Sequence, residues 1–169
     1  MAIPLRDSPV AAILPATGVV LAIDYGKKRL GLALSDEFRV TARPCATWIR
    51  TNRRRDLTRL REFAREQKVR LIVVGYPLHL DGTPSEMSEE ARSFAGRVQK
   101  ALGIPVQMTE ERLSSWEARA TISATPSSKR SRRGHSDSAA ATRSAPLDDV
   151  AAAIILRDYL DQSRAGNQT

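Results

Sequence analysis

The stretch VVLAIDYGKKRLGLALSD, residues 19–36, decides the fold. Two apolar runs of strand length flank the short polar turn Tyr25-Gly26-Lys27-Lys28. Such runs, bounded by Gly and charges, read as buried β-strands. The first, Val19–Asp24, is apolar on both faces, which suits a central strand covered on both sides. The second, Arg29–Leu34, follows too closely for a crossover, so it pairs antiparallel with the first. A carboxylate, Asp24, closes the first run. An ionised Asp at the end of a buried strand is costly unless a cation or hydrogen-bond donors meet it.

Outward from this hairpin, Arg39–Trp48 reads as a third strand, with Pro44 signalling an edge position or a bulge. Thr51 or Asn52 can cap a helix running to Gln67, with Leu57, Leu60, Phe63 and Ala64 on its apolar stripe. Its first turn carries Arg53, Arg54 and Arg55, where the helix dipole disfavours cations. They form either a solvated face or a phosphate contact. Leu71–Val74 suits a buried parallel strand, and a turn signal follows at Asp81-Gly82. A helix is expected over 85–102, stopped by Gly103, then a strand over Ile104–Met108. Ser114-x-x-Glu117 is a capping box for another helix. Residues 124–144 are polar, small and basic and read as a mobile loop within the domain. Pro146 opens a last helix, LDDVAAAIILRDYL, whose Ala151-Ala152-Ala153 patch permits close packing. The reading gives a loose N-terminal arm at 1–18 rather than a signal peptide, one domain over 19–161, and a frayed tail at 162–169. A meander followed by crossover units implies an α/β fold: a mixed sheet with helices on both faces.

The chain has 169 residues, net charge +8 and a pI near 10.4. That charge favours an acidic partner, and nucleic acid is the commonest. The single Cys45 cannot form an internal disulfide, which points to a reducing compartment and a cytoplasmic protein. It reads as a small buried apolar residue. No apolar run is long enough to span a membrane.

Three acidic positions could carry chemistry. Asp24 ends the first strand, Glu111 follows the Ile104–Met108 strand in TEERLSS, and Asp148 lies in the first turn of the last helix. By composition Glu110 is as plain a candidate as Glu111. Asp148 and Asp149 could equally complement the helix dipole. Carboxylates that converge repel, and hard oxygen ligands suit Mg²⁺ or Mn²⁺. Two such ions about 4 Å apart would serve phosphodiester hydrolysis. Lys27, Lys28 and Arg29 in the turn, with Lys129, Arg130, Arg132 and Arg133 in the loop, are candidates for substrate backbone contacts. His79 reads as a bystander. Trp48 and Trp116 could stack on bases but suit core packing better.

The segments AIDYGKKRLGLALSD, TARP, VVGYPLHLDGT, TEERLSS and LDDVAAAIIL, in this order, resemble the motifs of the YqgF-type family. The resemblance covers roughly Val19 to Leu160. It implies an RNase H-like fold and metal-dependent cleavage of structured nucleic acid in the bacterial cytoplasm. The family is described as Holliday-junction resolvases or as nucleases maturing the 5′ end of 16S rRNA. By this similarity Asp24, Glu111 and Asp148 match the three acidic positions. Asp24 would bridge two metal ions, with Glu111 and Asp148 each holding one. The implied partner is precursor rRNA, or else branched DNA, met by a monomer or a homodimer.

Two other classes share some of these features. Sugar kinases and actin-like ATPases also follow an apolar strand with Asp-x-Gly, but they need a second lobe that this length does not supply. A non-catalytic RNA-binding module would use the charge and leave the acids idle.

Overall fold

The computed structural model describes residues 3–4, 17–77, 85–111 and 147–166. In chain order the elements are β1 (Ile3–Pro4), β2 (Val20–Tyr25), β3 (Arg29–Ser35), β4 (Ala42–Ile49), α1 (Arg53–Glu66), β5 (Leu71–Pro77), α2 (Glu86–Leu102), β6 (Val106–Glu111) and α3 (Leu147–Gly166). The strands form one mixed sheet in the order β1-β6-β5-β2-β3-β4. β2, β3 and β4 make the antiparallel meander, while β5 lies parallel to β2 and β6 parallel to β5. This is the expected mixed sheet, with helices on both faces.

Alternation along β2 sends its residues into two separate cores. Leu21, Ile23 and Tyr25 pack with Leu32, Ile72, Val74 and the apolar stripes of α1 and α2. Val20 and Ala22 pack with Ala33, Leu71, Val73 and the face of α3 that carries Ala152, Ile155, Leu156 and Tyr159. Both faces of the central strands are therefore dry, which is why they lack alternating polar residues. Each fully buried Leu or Ile contributes roughly 2 kcal/mol to folding.

The helix ends follow local chemistry. Asn52 accepts from the Arg55 N–H at the start of α1, and Ser85 accepts from the Ser88 N–H at the start of α2. Gly103 ends α2 in the left-handed conformation at φ 67°. Trp48 is buried edge-on against Phe63, with ring centroids 5.2 Å apart, so it serves the core.

Several boundaries differ from the sequence reading. β6 continues past Met108 to Glu111, because parallel pairing with β5 extends to Pro77↔Glu111. α3 runs to Gly166, beyond the tail expected from Gln162, and Leu160 in its later turns is still buried. Within the N-terminal arm, Ile3 and Pro4 pair antiparallel with Met108 and Gln107. Cys45 is exposed rather than buried. The register passes from Leu32↔Ala46 to Ala33↔Pro44, so Cys45 is the extra residue of a bulge on the edge strand β4. Pro44 thus marked both an edge and a bulge. The helix expected from Ser114, the loop 124–144, His79 and Trp116 lie outside the described residues. Among the described residues no helix is long and apolar enough to cross a membrane.

Candidate active site

The register of four strand pairs places Thr47, Gly31, Asp24, Gly75 and Thr109 in one row across the sheet. Alternation assigns this row to the α3 face, since Ala22, Ala33 and Val73, two residues away, belong to the core that α3 closes. Asp24 therefore stands between two residues with no side chain. A Cβ at Gly31 would run into the backbone carbonyl of Asp148. A Cβ at Gly75 would come within 2.5 Å of Ile155 Cδ1. The two glycines let the first turns of α3 settle directly onto the sheet beside Asp24. The N-terminal end of a helix carries partial positive charge, which favours a carboxylate placed there.

Asp148 is the second residue of α3. Its Oδ2 lies 3.3 Å from Arg29 Nε, an ion pair without hydrogen-bond geometry. The oxygen is buried and accepts no hydrogen bond among the described residues, and the same holds for Thr47 Oγ1, the neighbour of Gly31 on the other strand. Buried polar atoms are normally satisfied. Here two oxygens, Thr47 Oγ1 and Asp148 Oδ2, are left without a hydrogen bond around Gly31, the residue paired with Asp24 and overlain by the Asp148 backbone. That donor set fits a hard divalent cation.

Glu111 occupies the end of β6, two residues beyond the row and two strands from Asp24. Standard sheet spacings put the two Cα atoms about 12 Å apart. The position belongs to the alternation set of Gln107, whose Oε1 accepts a 2.6 Å hydrogen bond from Tyr159 of α3. Glu110 belongs to the set of Val106 and Met108, which pack in the opposite core. Strand parity therefore puts position 111, and not 110, on the sheet face that Asp24 occupies. The Glu111 side chain itself lies outside the described residues. Among the described residues no group of three or more His, Cys, Asp or Glu side chains gathers as a metal cluster.

The cations assigned to the substrate fare differently. Lys28 is exposed at the hairpin turn. Lys27 lies 3.2 Å from Glu90 and 3.7 Å from Glu86, and the hydrogen bond with Glu90 is the main cause of its raised pKa. Arg29 is held by Asp148. A phosphate would meet Lys28 directly and would compete with carboxylates for the other two. Lys129, Arg130, Arg132 and Arg133 lie outside the described residues.

Sequence reading missed Arg50 and Asp56, which brace the strand end that carries Asp24. The Arg50 guanidinium lies over the rings of Tyr25 and Phe94, donates to the Gly26 carbonyl at 2.9 Å, and pairs through Nε with Asp56 Oδ2 at 3.2 Å. Burial opposes the Arg50 charge, but hydrogen bonds to Tyr25 and Asp56 outweigh it and raise its pKa. Asp56, in the first turn of α1, is buried although it is an acid in a helix end rich in arginines. The signal available was its spacing, four residues before Leu60 and eight before Ala64 on the buried stripe.

Residues 18–162 match a family model described as "RuvX: Holliday junction resolvase". A protein of Anaeromyxobacter sp. (strain K) named "Putative pre-16S rRNA nuclease" is 41% identical over 142 residues, 84% of this chain and 96% of that protein. A protein of the same name from Koribacter versatilis (strain Ellin345) is 36% identical over 145 residues, 86% and 88% of the two chains. The solved structure "T. thermophilus RuvC in complex with Holliday junction substrate" resembles this fold with TM-score 0.50 at 15% identity, covering 86% of this chain and 95% of that one. That likeness speaks for the RNase H-like architecture alone.

Proposed function

Because the chain belongs to the RuvX family, we propose that it is a metal-dependent nuclease that hydrolyses phosphodiester bonds in structured nucleic acid, with the 5′ end of precursor 16S rRNA as its substrate. The observation that carries this reading is the glycine-flanked placement of Asp24 beside the first turn of α3. Gly31 and Gly75 make room for Asp148 to arrive at the same end of the sheet, on the face favoured for Glu111 by strand parity. Asp24, Glu111 and Asp148 are the residues that would hold Mg²⁺ or Mn²⁺ through hard oxygen ligands. A bound divalent pair supplies positive charge to both the attacking and the leaving oxygen in phosphodiester cleavage. The protein contributes ligand orientation, through the fixed register of β2 and β6 and the seat of α3. Lys28 and Arg29 at the hairpin turn would meet the phosphate backbone, a contact that reads charge rather than sequence. Such a nuclease acts in the bacterial cytoplasm, where its precursor is made.

The family description favours a second substrate, the four-way DNA junction. Both substrates offer bent, phosphate-rich backbone. A junction cutter would act as a symmetric dimer with two sites, whereas an RNA trimmer can act as a monomer.

The test places a precursor rRNA fragment beside a synthetic four-way junction, with and without Mg²⁺, using the parent and Asp24→Asn. Metal-dependent RNA cleavage by the parent alone is expected, with RNA binding retained by Asp24→Asn. Equal cleavage by both proteins would remove Asp24 from the chemistry. Preferential cleavage of the junction would move the substrate to DNA, and binding with no cleavage by either protein would favour an RNA-binding module.

A further inference from the structure

Among the described elements α1 is the most basic, and the chemistry above uses none of its cations. Its sequence, RRRDLTRLREFARE, places three arginines in the first turn, against the helix dipole. The one acid of that turn, Asp56, is buried and already paired with Arg50, so it neutralises none of them. At helical spacing, Arg54, Thr58, Arg61, Arg65 and then Lys68 follow one exposed stripe with no carboxylate on it. The stripe is about 20 Å long from Arg54 to Lys68.

Two surface grooves lie along α1, and both are lined by cations. One, of about 620 Å³, is bordered by Arg54, Arg55 and Arg59 beside Thr51 and Asn52, together with the exposed carboxylate of Glu62 and the buried Asp56, so cations outnumber acids there three to two. The other, of about 380 Å³, is bordered by Arg61, Arg65, Lys68 and Arg70 at the far end of the helix. Arg59 is stacked on the Trp48 ring at 4.0 Å, so its planar fork is held in place beside the first groove. The Arg61 guanidinium donates to the Ala101 carbonyl, which fixes it beside the second while leaving donors to spare.

The start of the stripe is fastened to the candidate active site. Arg50 links Asp56 in the first turn of α1 to the carbonyl of Gly26, two residues beyond Asp24. Lys28 and Arg29 lie in the same hairpin. α1 packs on the sheet face opposite α3, so a continuous anion would have to cross this hairpin end to meet the stripe, beginning at its N-terminal turn.

We propose that the exposed face of α1 is a second nucleic-acid contact, a phosphate track that holds the substrate's backbone beyond the bond being cut. This rests on the nuclease reading, and it assigns α1 affinity rather than chemistry. The ligand chemistry is a sugar–phosphate backbone with regularly repeated negative charge; base identity plays no part.

The test uses the full chain carrying Asp24→Asn, so that binding is read without cleavage. Arg54, Arg61 and Arg65 are changed together to Gln, a comparable helix former. A control removes the same charge elsewhere, with Arg92→Gln, Lys100→Gln and Arg157→Gln. Binding to a long RNA hairpin and to a four-way DNA junction is measured across a salt series. The α1 variant is expected to bind at least tenfold more weakly and to lose about two to three units of log–log salt slope, roughly 0.9 per contact. The control should keep the parent's slope. Loss on RNA alone assigns the track to RNA, and loss on the junction alone assigns it to DNA. An unchanged slope, or the same loss in the control, overturns the track. Thermal melting checks folding, and Arg65→Gln alone, far from the first turn, should still lower the slope by about one unit. Cleavage of a short oligonucleotide too small to reach α1, measured with Asp24 intact, should survive the triple change. No cleavage of it by the parent would count against the nuclease reading and leave the binding result standing.

Discussion

Replacing Gly31 by Ala should damage both stability and cleavage, and the sign of the effect is informative. At a strand position without a positive φ, Gly→Ala ordinarily stabilises by about 0.4–1 kcal/mol through the unfolded chain. Gly31 is not such a free position, because the new methyl would meet the carbonyl oxygen and carbon of Asp148, followed by the Asp149 nitrogen at 3.1 Å. These are backbone atoms of a 20-residue helix and cannot step aside singly. Restoring ordinary contact means lifting the start of α3 by roughly 1 Å or more, at an overpacking cost of about 3 kcal/mol. For a chain of this size that lowers Tm by about 6–12 °C. On the proposed function, lifting α3 would also carry Asp148 away from Asp24, and a displacement of about 1 Å at a reacting centre costs on the order of a hundredfold in rate. Gly75→Ala provides the contrast. Its methyl meets Ile155 Cδ1 at 2.5 Å, the end of a flexible side chain, so about 1 kcal/mol is expected. Ile155→Val removes that atom, and the double variant should be more stable than the sum of the singles by at least about 0.5 kcal/mol. Urea denaturation and cleavage rates at saturating Mg²⁺ measure both effects. A Gly31→Ala protein as stable and as active as its parent would refute the seat of α3 on the sheet.

Asp56→Asn, which leaves the largely buried Arg50 without its carboxylate, should cost about 3 kcal/mol and shift the urea midpoint downward. Asp36 accepts from the Thr41 hydroxyl at 2.6 Å and from the Val40 and Thr41 amides at 2.9 Å, and these bonds hold its carboxyl below the usual range, the Thr41 hydroxyl most of all. A depressed folded-state pKa gives stability that is present above the unfolded value and lost as pH falls through the folded one. Acid unfolding monitored below about pH 4 should therefore be less steep in Asp36→Asn than in the parent.

Much of the fold was legible because the central strands advertise themselves. Val20–Ile23 and Leu71–Val74 are apolar on both faces, and only a sheet covered twice can bury such runs. The stripes of α1 and α2 and the stop at Gly103 followed from helical periodicity and capping. The position of Asp24 at a strand end was equally plain. The glycines beside it were not, since Gly31 faces Asp24 only through the particular hairpin register, and Gly75 only through pairing with a strand distant in sequence. Register likewise puts position 111, and not 110, on the face of Asp24, where composition left the two level. Arg50 and Asp56 were hidden for a related reason: a buried ion pair looks in sequence like two surface charges. Cys45 was misplaced because a bulge shifts alternation by one residue, and only Pro44 hinted at it.

The glycine row has a consequence for quality control. If β2 slid by one residue against its neighbours, every side chain would change face. The Asp24 carboxylate would then be thrust toward Phe94 and Tyr76, and Ile23 would be wedged beneath the opening turns of the final helix. Such a slipped chain loses both hydrophobic layers together with the proposed seat of Asp24, so it cannot persist as a well-folded but inert by-product. In any preparation, the fraction that melts cooperatively should equal the fraction able to turn over substrate.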